Sequence, residues 1–200
     1  MSFDPVDLTD IKCQLAMPGM ADYSTLQVPE HGGPIFKVDR LGGGFRIEFH
    51  LPPENVEPEG RRLIARFQKA KRFGAVIEYP QVDFRVGAPG DPTVDGGIAG
   101  GMMMPVTGGL PKYAVRQGQA LNVVKASRSY LYFADAQTIL DASGAGELAL
   151  TTPLRTQLAG GEGVNLRRPI MEGWILGDNF DWPIDRIRMV GLSFTLQERA

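Results

Sequence analysis

Alternating apolar and polar positions predict β-strands in the first half of the chain. In Phe45–Leu51 every second residue is apolar and the residues between them are polar, which is the spacing of a strand with one buried face. A second candidate strand at 35–40 precedes it, and glycines 42–44 between the two are typical of a hairpin loop. The pattern predicts an antiparallel hairpin made of these two strands.

One segment has helical periodicity. Over 57–73, apolar side chains recur at spacings of three and four, and basic residues occupy about half of the other positions. Pro58 stands near the start, and Gly74 follows the last position, where glycine commonly ends a helix. We predict one amphipathic helix over 57–73, with Phe67 in its apolar stripe as a core anchor.

Short strands are predicted beyond the helix. Two of them, at 75–79 and 82–86, precede a stretch rich in glycine and proline at 87–97. Closely spaced strands with turn residues between them follow at 121–125, 129–133, 137–139 and 147–151. We expect the last two strands, at about 166–176 and 186–197, to pair with the first hairpin.

The predicted fold is mainly β: a β-sandwich with one packed α-helix and an inserted small β-barrel or sandwich subdomain. The sandwich core would comprise 35–91 and 166–200, and the insert would comprise 92–165. Residues 1–34 have little periodicity and predict an extended N-terminal arm with at most a short strand. Such an arm either reaches a neighbouring subunit or is a loosely packed terminus.

Composition narrows the classes of function. The 25 glycines and 15 prolines, without a repeating period, indicate a turn-rich β protein. The net charge of −2 lacks the basic excess of a free-standing nucleic-acid binder. The first residues do not resemble a secretory signal, and no apolar run is long enough to span a membrane. We therefore expect a protein that is made in a cytoplasm and does not insert into a membrane.

The residues that most often carry chemistry are scattered. Cys13, His31 and His50 lack the spacing of metal ligands, and a half-buried structural role is the expectation for the cysteine. Asp178 and Asp181 stand on either side of Asn179 and Phe180, and aspartate and asparagine in such a segment usually form turns. We expect no catalytic residues, no metal, no cofactor and no enzymatic activity.

Two groups of apolar residues are candidates for core packing or for contact with another subunit. Met102, Met103 and Met104 form a candidate subunit interface, because flexible thioether side chains adapt to a partner surface. They are otherwise the start of a strand in the insert's own core. Trp174 and Trp182 are predicted core anchors, although tryptophan is also frequent at interfaces.

The order of segments in the second half resembles a family of bacteriophage proteins. GELALTTPLR at 146–155, the strand around Trp174, the turn DNFDW at 178–182 and the closing strand GLSFTLQE at 191–198 follow one another in this order. That order is similar to the distal tail proteins of long-tailed phages, and the similarity extends over about 35–200. The chain departs from the family pattern after Gly74, where an aromatic residue is common.

The resemblance implies a structural role in a virion. Distal tail proteins form a ring, hexameric or trimeric, that joins the tail tube to the hub and tip proteins at the tail tip or baseplate. Copies meet through β-strand edges and extended arms, and DNA passes through the channel only as cargo.

A different class of function is a carbohydrate-binding module for host recognition. Tyr113, Tyr130 and Tyr132 would then stack on sugars. This alternative requires that the tyrosine rings be exposed.

Overall fold

The fold is mainly β, as predicted, and the described part contains one α-helix. The structure is a computed structural model, and it describes residues 4–38, 43–177, 181–182 and 188–199. Most of the strands in these ranges belong to two six-stranded sheets. We call them the first sheet and the second sheet.

The first sheet contains strands from both ends of the chain. Its order is β1 (Val6–Asp7), β7 (Ala75–Glu78), β16 (Ile170–Ile175), β18 (Ser193–Glu198), β5 (Gly44–His50) and β2 (Leu15–Ala21). The pairing of β1 with β7 is parallel, and the other pairings are antiparallel. The closing strand β18 thus lies between β16 and β5 in the middle of this sheet.

The second sheet is formed by the middle of the chain. Its order is β12 (Arg128–Phe133), β11 (Ala120–Lys125), β15 (Gly163–Asn165), β8 (Gly90–Val94), β9 (Met103–Gly109) and β14 (Gly146–Ala149). All of its pairings are antiparallel. The predictions of strands at 121–125, 129–133 and 147–151 are confirmed to within a few residues.

Short two-stranded ribbons complete the described fold. They pair β3 (Thr25–Gln27) with β4 (Phe36–Val38), β6 (Glu54–Asn55) with β17 (Met189–Val190), and β10 (Ala114–Val115) with β13 (Thr138–Ile139). The last of these confirms the predicted strand at 137–139.

The helix α1 (Arg61–Phe73) follows an irregular turn at Val56–Gly60. It ends where predicted: Gly74 has φ 85°, and its N–H donates to the Ala70 carbonyl at 2.8 Å. It begins a turn later than the predicted start, because Glu57 is extended. Phe67 is fully buried, and its ring lies 4.7 Å from that of Phe194, which confirms it as a core residue.

Two apolar cores lie against the sheets. One comprises buried residues of α1 and the first sheet, and the other comprises buried residues between Val94 and Leu166. Ala120 and Leu131 of the second sheet belong to the first of these cores. The two sheets therefore pack on each other through β11 and β12.

The predicted hairpin between 35–40 and 45–51 is wrong in its pairing. β4 pairs with β3, whereas β5 lies between β2 and β18. Apolar alternation identifies a strand and its buried face but not its neighbour. Residues 39–42, which include Gly42 of the predicted loop, lie outside the described part.

The N-terminal segment is more regular than predicted. β2 is a seven-residue strand that pairs with β5 along its whole length, so the expectation of at most a short strand is wrong. Its sequence contains Pro18, which an edge strand tolerates. The lack of periodicity comes from its partly exposed position at the border of the sheet.

The predicted strand at 82–86 is not formed. Asp83 has a positive φ of 58°, and the Phe84 N–H donates to the Gln81 carbonyl at 3.3 Å. The segment after Pro80 therefore begins with a turn and continues without a strand partner.

Candidate functional site: an assembly surface

A buried ion pair joins the two sheets. Arg155 lies in the loop after β14, and Glu198 is the last residue of β18. The guanidinium contacts both carboxylate oxygens, with Nη1 to Oε2 at 2.5 Å and Nη2 to Oε1 at 2.8 Å. Burial acts to lower the pKa of Arg155, but the hydrogen bonds and charge of Glu198 outweigh it, and the pKa rises. The Arg155 guanidinium is thus held in its charged form.

The same pair provides hydrogen-bond partners for backbone groups at the outer edge of β12. The Leu131 N–H donates to Glu198 Oε1 at 2.7 Å, and Arg155 Nη2 donates to the Leu131 carbonyl at 2.5 Å. The Phe45 N–H of β5 donates to Glu198 Oε2 at 3.2 Å. Charged side chains therefore take the place of a neighbouring strand, which protects this edge from pairing with another chain.

Other polar contacts continue this junction. The Ser129 N–H donates to Glu172 at 3.1 Å, and the Ile170 N–H donates to the Asn122 side chain at 2.9 Å. Buried backbone groups of both sheets are thereby bonded to side chains across the junction. A partner would have to dock elsewhere.

The edge of the first sheet that β2 forms is available for pairing with another chain. In the described part, β2 has a strand partner only on its β5 side. Its sequence, LAMPGMA, contains no charged residue. Charges and prolines normally protect such edges. β2 carries Pro18 but no charge, so the residues on either side of Pro18 are a potential pairing site for another chain.

The ribbon of β3 and β4 continues from this edge. All six of its strand residues are exposed. Contacts at its base include an ion pair between Asp22 and Lys37 at 3.3 Å and a hydrogen bond from Gln197 to the Tyr23 hydroxyl at 2.7 Å. An isolated two-stranded hairpin is only marginally stable in water, so a ribbon of this kind would gain stability if a partner covered it.

Exposed apolar side chains are concentrated in this part of the chain. Among the described residues, seventeen large apolar side chains are exposed, and nine of them lie within residues 15–38, which we call the apolar arm. They are Leu15, Met17, Met20, Tyr23, Leu26, Val28, Ile35, Phe36 and Val38. Such clustering is typical of interaction surfaces, whereas singly scattered apolar residues are common on any protein surface.

A pocket of about 290 Å³ lies where the apolar arm meets both sheets. Its lining includes Met20 and Lys37 of the arm, Phe45 of β5, and Met102, Pro153 and Arg155 beside the second sheet. The Arg155 guanidinium lies 5.7 Å from the centre of the Phe45 ring. The pocket therefore combines apolar walls with the charged side chains of Asp22, Lys37 and Arg155.

The three neighbouring methionines have different surroundings. Met104 is fully buried in the core of the second sheet, as the alternative interpretation of this run predicts. Met102 and Met103 are 44% and 45% exposed, and Met102 lines the pocket. A subunit contact through Met102 and Met103 stays a prediction.

The prediction that Trp174 anchors the core is wrong. Its side chain is 40% exposed, and the guanidinium of Arg199 lies 5.3 Å from its ring centre. Met171 and Ile175 of the same strand are buried, so Trp174 points to the opposite face. Trp182 does pack against the core of the first sheet, where it is half-buried.

The tyrosines proposed to stack on sugars are not available for that role. Tyr130 and Tyr132 are buried in the core of the second sheet. Tyr113 is half-buried; its hydroxyl donates to the Val86 carbonyl at 2.9 Å and accepts a bond from Gln119 at 3.0 Å. The carbohydrate-binding alternative therefore loses its aromatic platform.

Other chemically active groups are dispersed. Across the described ranges, no group of three or more His, Cys, Asp or Glu residues is placed to hold a metal ion. Cys13 is a half-buried free thiol, and burial raises its pKa. The described helix is too short and too polar to cross a membrane. Of the predicted turn DNFDW, residues 178–180, with Asp178, lie outside the described part, and Asp181 is exposed.

No protein-family model matches the chain, and no curated protein matches it significantly.

Proposed function

We propose that the protein is a structural subunit of a phage tail tip: a ring-forming, distal-tail-like adaptor that joins the tail tube to tip proteins. The observation that carries the proposal is the apolar arm, in which nine large apolar side chains are exposed on one segment. An exposed surface of this kind calls for a permanent partner.

The size of that surface suits a stable interface. A standard interface uses about 20–30 residues on each partner, and the nine exposed apolar side chains of the arm are a substantial part of such a set. The arm therefore supplies a large share of the apolar surface of a specific contact between subunits. A free monomer would leave this area in water at a cost in solubility.

The open edge of β2 favours a ring. A surface patch that binds a different patch on the next copy makes a head-to-tail contact, and such contacts produce rings when the rotation closes. The uncharged β2 edge, at the start of the apolar arm, offers backbone hydrogen bonds for such a contact. The two features together supply both apolar area and directional bonding.

The junction between the sheets suits a load-bearing adaptor. The ion pair of Arg155 and Glu198 ties the loop after β14 to the closing strand of the first sheet. Directional, buried bonds of this kind hold two sheets in one relative orientation. A subunit stacked between a tube and a tip needs such a fixed orientation.

The assignment to a phage tail rests on the order of segments. GELALTTPLR ends at Arg155, and GLSFTLQE ends at Glu198. The two segments that carry the resemblance thus meet at one buried contact. This contact gives a physical reason why both segments would occur together in one fold.

Native mass spectrometry of the purified full chain tests the proposal. We expect a closed oligomer of defined stoichiometry, whereas a monomer at high concentration would overturn self-assembly. Immunolabelling of phage tails tests the location separately. Tails without the protein at their tips would overturn the assignment to a virion even if the oligomer exists.

A further inference from the structure

We propose that the pocket beside Met102 receives Phe36 from the apolar arm of a neighbouring copy of this chain. The inference rests on the self-assembly proposed above and specifies which surfaces meet. Each copy carries one pocket and one arm, so the contact can repeat from copy to copy.

Phe36, the aromatic residue of the ribbon, points away from the pocket of its own chain. Lys37 lines the pocket of its own chain. Phe36 precedes it in β4, and adjacent residues of a strand point to opposite faces. Phe36 therefore lies on the face turned away from that pocket, where its side chain is 58% exposed. It is free to enter the pocket of a different copy.

The volume of the pocket fits an aromatic side chain. An apolar cavity of about 150 Å³ is known to hold benzene in another protein. The present pocket, at about 290 Å³, has room for a phenyl ring and the atoms next to it. A smaller aliphatic side chain would leave much of this space empty.

The walls of the pocket offer favourable contacts to such a ring. Met20 and Met102 are flexible, and their sulfur atoms interact well with aromatic rings. The Phe45 ring and the Arg155 guanidinium, which also line the pocket, add edge-to-face and cation–π contacts. The apolar part of the pocket, beside the paired charges of Asp22 and Lys37, is thus suited to an aromatic guest.

A contact of pocket to arm is head-to-tail. Copy one binds copy two through its pocket, and copy two binds copy three in the same way. This geometry produces a ring when it closes, in agreement with the proposed adaptor. A symmetric contact of arm with arm would instead end at a dimer.

Two neighbouring substitutions provide a matched test. Met102→Glu places a charge in the pocket. Met103→Glu places the same charge at the adjacent residue, which is equally exposed but does not line the pocket. We expect Met102→Glu to raise the concentration for half-assembly by at least about tenfold, as loss of a hot-spot contact does. The proposed contact narrows the candidate subunit interface to Met102, so Met103→Glu should assemble like the unmodified chain. Equal assembly of the two variants would overturn the proposal.

Crosslinking tests the pairing directly in a Cys13→Ser background. Gln27, which pairs with Phe36 across the ribbon, and Thr151, on the pocket lining, are each replaced by cysteine in separate variants. A short bismaleimide should link Gln27→Cys to Thr151→Cys in a mixture, and neither variant to itself. Val124→Cys, at an exposed site away from the pocket, is the control partner for Gln27→Cys.

The outcomes separate the two proposals. If the unmodified chain forms a ring but Gln27→Cys links equally to Val124→Cys, or to itself, the pocket contact is wrong and the adaptor proposal stands. If the unmodified chain is a monomer by native mass spectrometry, the adaptor proposal fails as well.

Discussion

Arg155 and Glu198 are 43 residues apart in sequence and form a two-bonded ion pair between the two sheets. Their side chains are only 7% and 0% exposed. Because the pair also bonds the backbone of Leu131 and Phe45, removal of one partner leaves several polar groups without a bond. The contact is therefore central to the stability of the junction.

We predict that Arg155→Ala destabilises the fold by about 3–5 kcal/mol, because the Glu198 charge is left buried without its partner. Urea unfolding measures this change. Replacing both partners by apolar residues, as in Arg155→Met with Glu198→Leu, should cost less than the single substitution. Arg168→Ala, which removes a pair with Glu78 on the surface, is the control and should change the midpoint little.

Stability should fall in alkaline solution because of Tyr132. Burial raises the pKa of Tyr132 above its ordinary value of 10.0. A raised pKa in the folded state means that the stabilisation is complete below pH 10 and is lost as pH rises through the higher folded value. Burial raises the pKa of Tyr79 as well, which adds to the same trend.

Urea midpoints at several alkaline pH values measure this dependence. Tyr132→Phe should flatten the decline, although it also removes the bond from the Arg155 N–H to the phenol oxygen at 3.1 Å. Tyr23→Phe, at a half-exposed site, is the matched control and should keep the unmodified slope. An unchanged slope in Tyr132→Phe would show that other groups cause the decline.

Local patterns in the sequence predicted many elements and few contacts. The stripe containing Phe67 gave the helix, because a helix buries one face at fixed spacing. Strands such as β11 and β12 followed from apolar runs between turn residues. The neighbour of β5 did not follow, because strand pairing depends on distant parts of the chain.

The candidate site was largely beyond prediction for the same reason. The methionine run at 102–104 was found from its composition, but only the fold separates Met102, in the pocket, from Met104, in the core. Trp174 was misassigned because its apolar neighbours obscured the alternation of buried and exposed positions along β16. The pocket itself joins three segments distant in sequence, which no local pattern reveals.

The open edge of β2 gives a prediction about association. Met17→Lys places a charge on an exposed position of this edge strand, and charged edges resist pairing with another chain. We expect weaker self-association by analytical ultracentrifugation, with little change in the thermal midpoint. Val82→Lys, at an exposed apolar residue outside the arm, is the control. If both variants lose self-association equally, the change in net charge is the cause and pairing at the β2 edge is not.

The close contact of β16 and β18 gives a prediction about the fold. A Cβ atom at Gly173 would lie 2.1 Å from the Gln197 carbonyl oxygen, a backbone atom that cannot move aside without separating the strands. Gly173→Ala should therefore destabilise the protein by about 3 kcal/mol, at the upper end for overpacking. Gly163→Ala in β15 has open space around the new atom and should stay within about 0.5 kcal/mol of the unmodified chain. Urea unfolding of both variants measures the difference. Because Gly173 is next to Trp174, the fluorescence of Trp174 would report separation of β16 from β18.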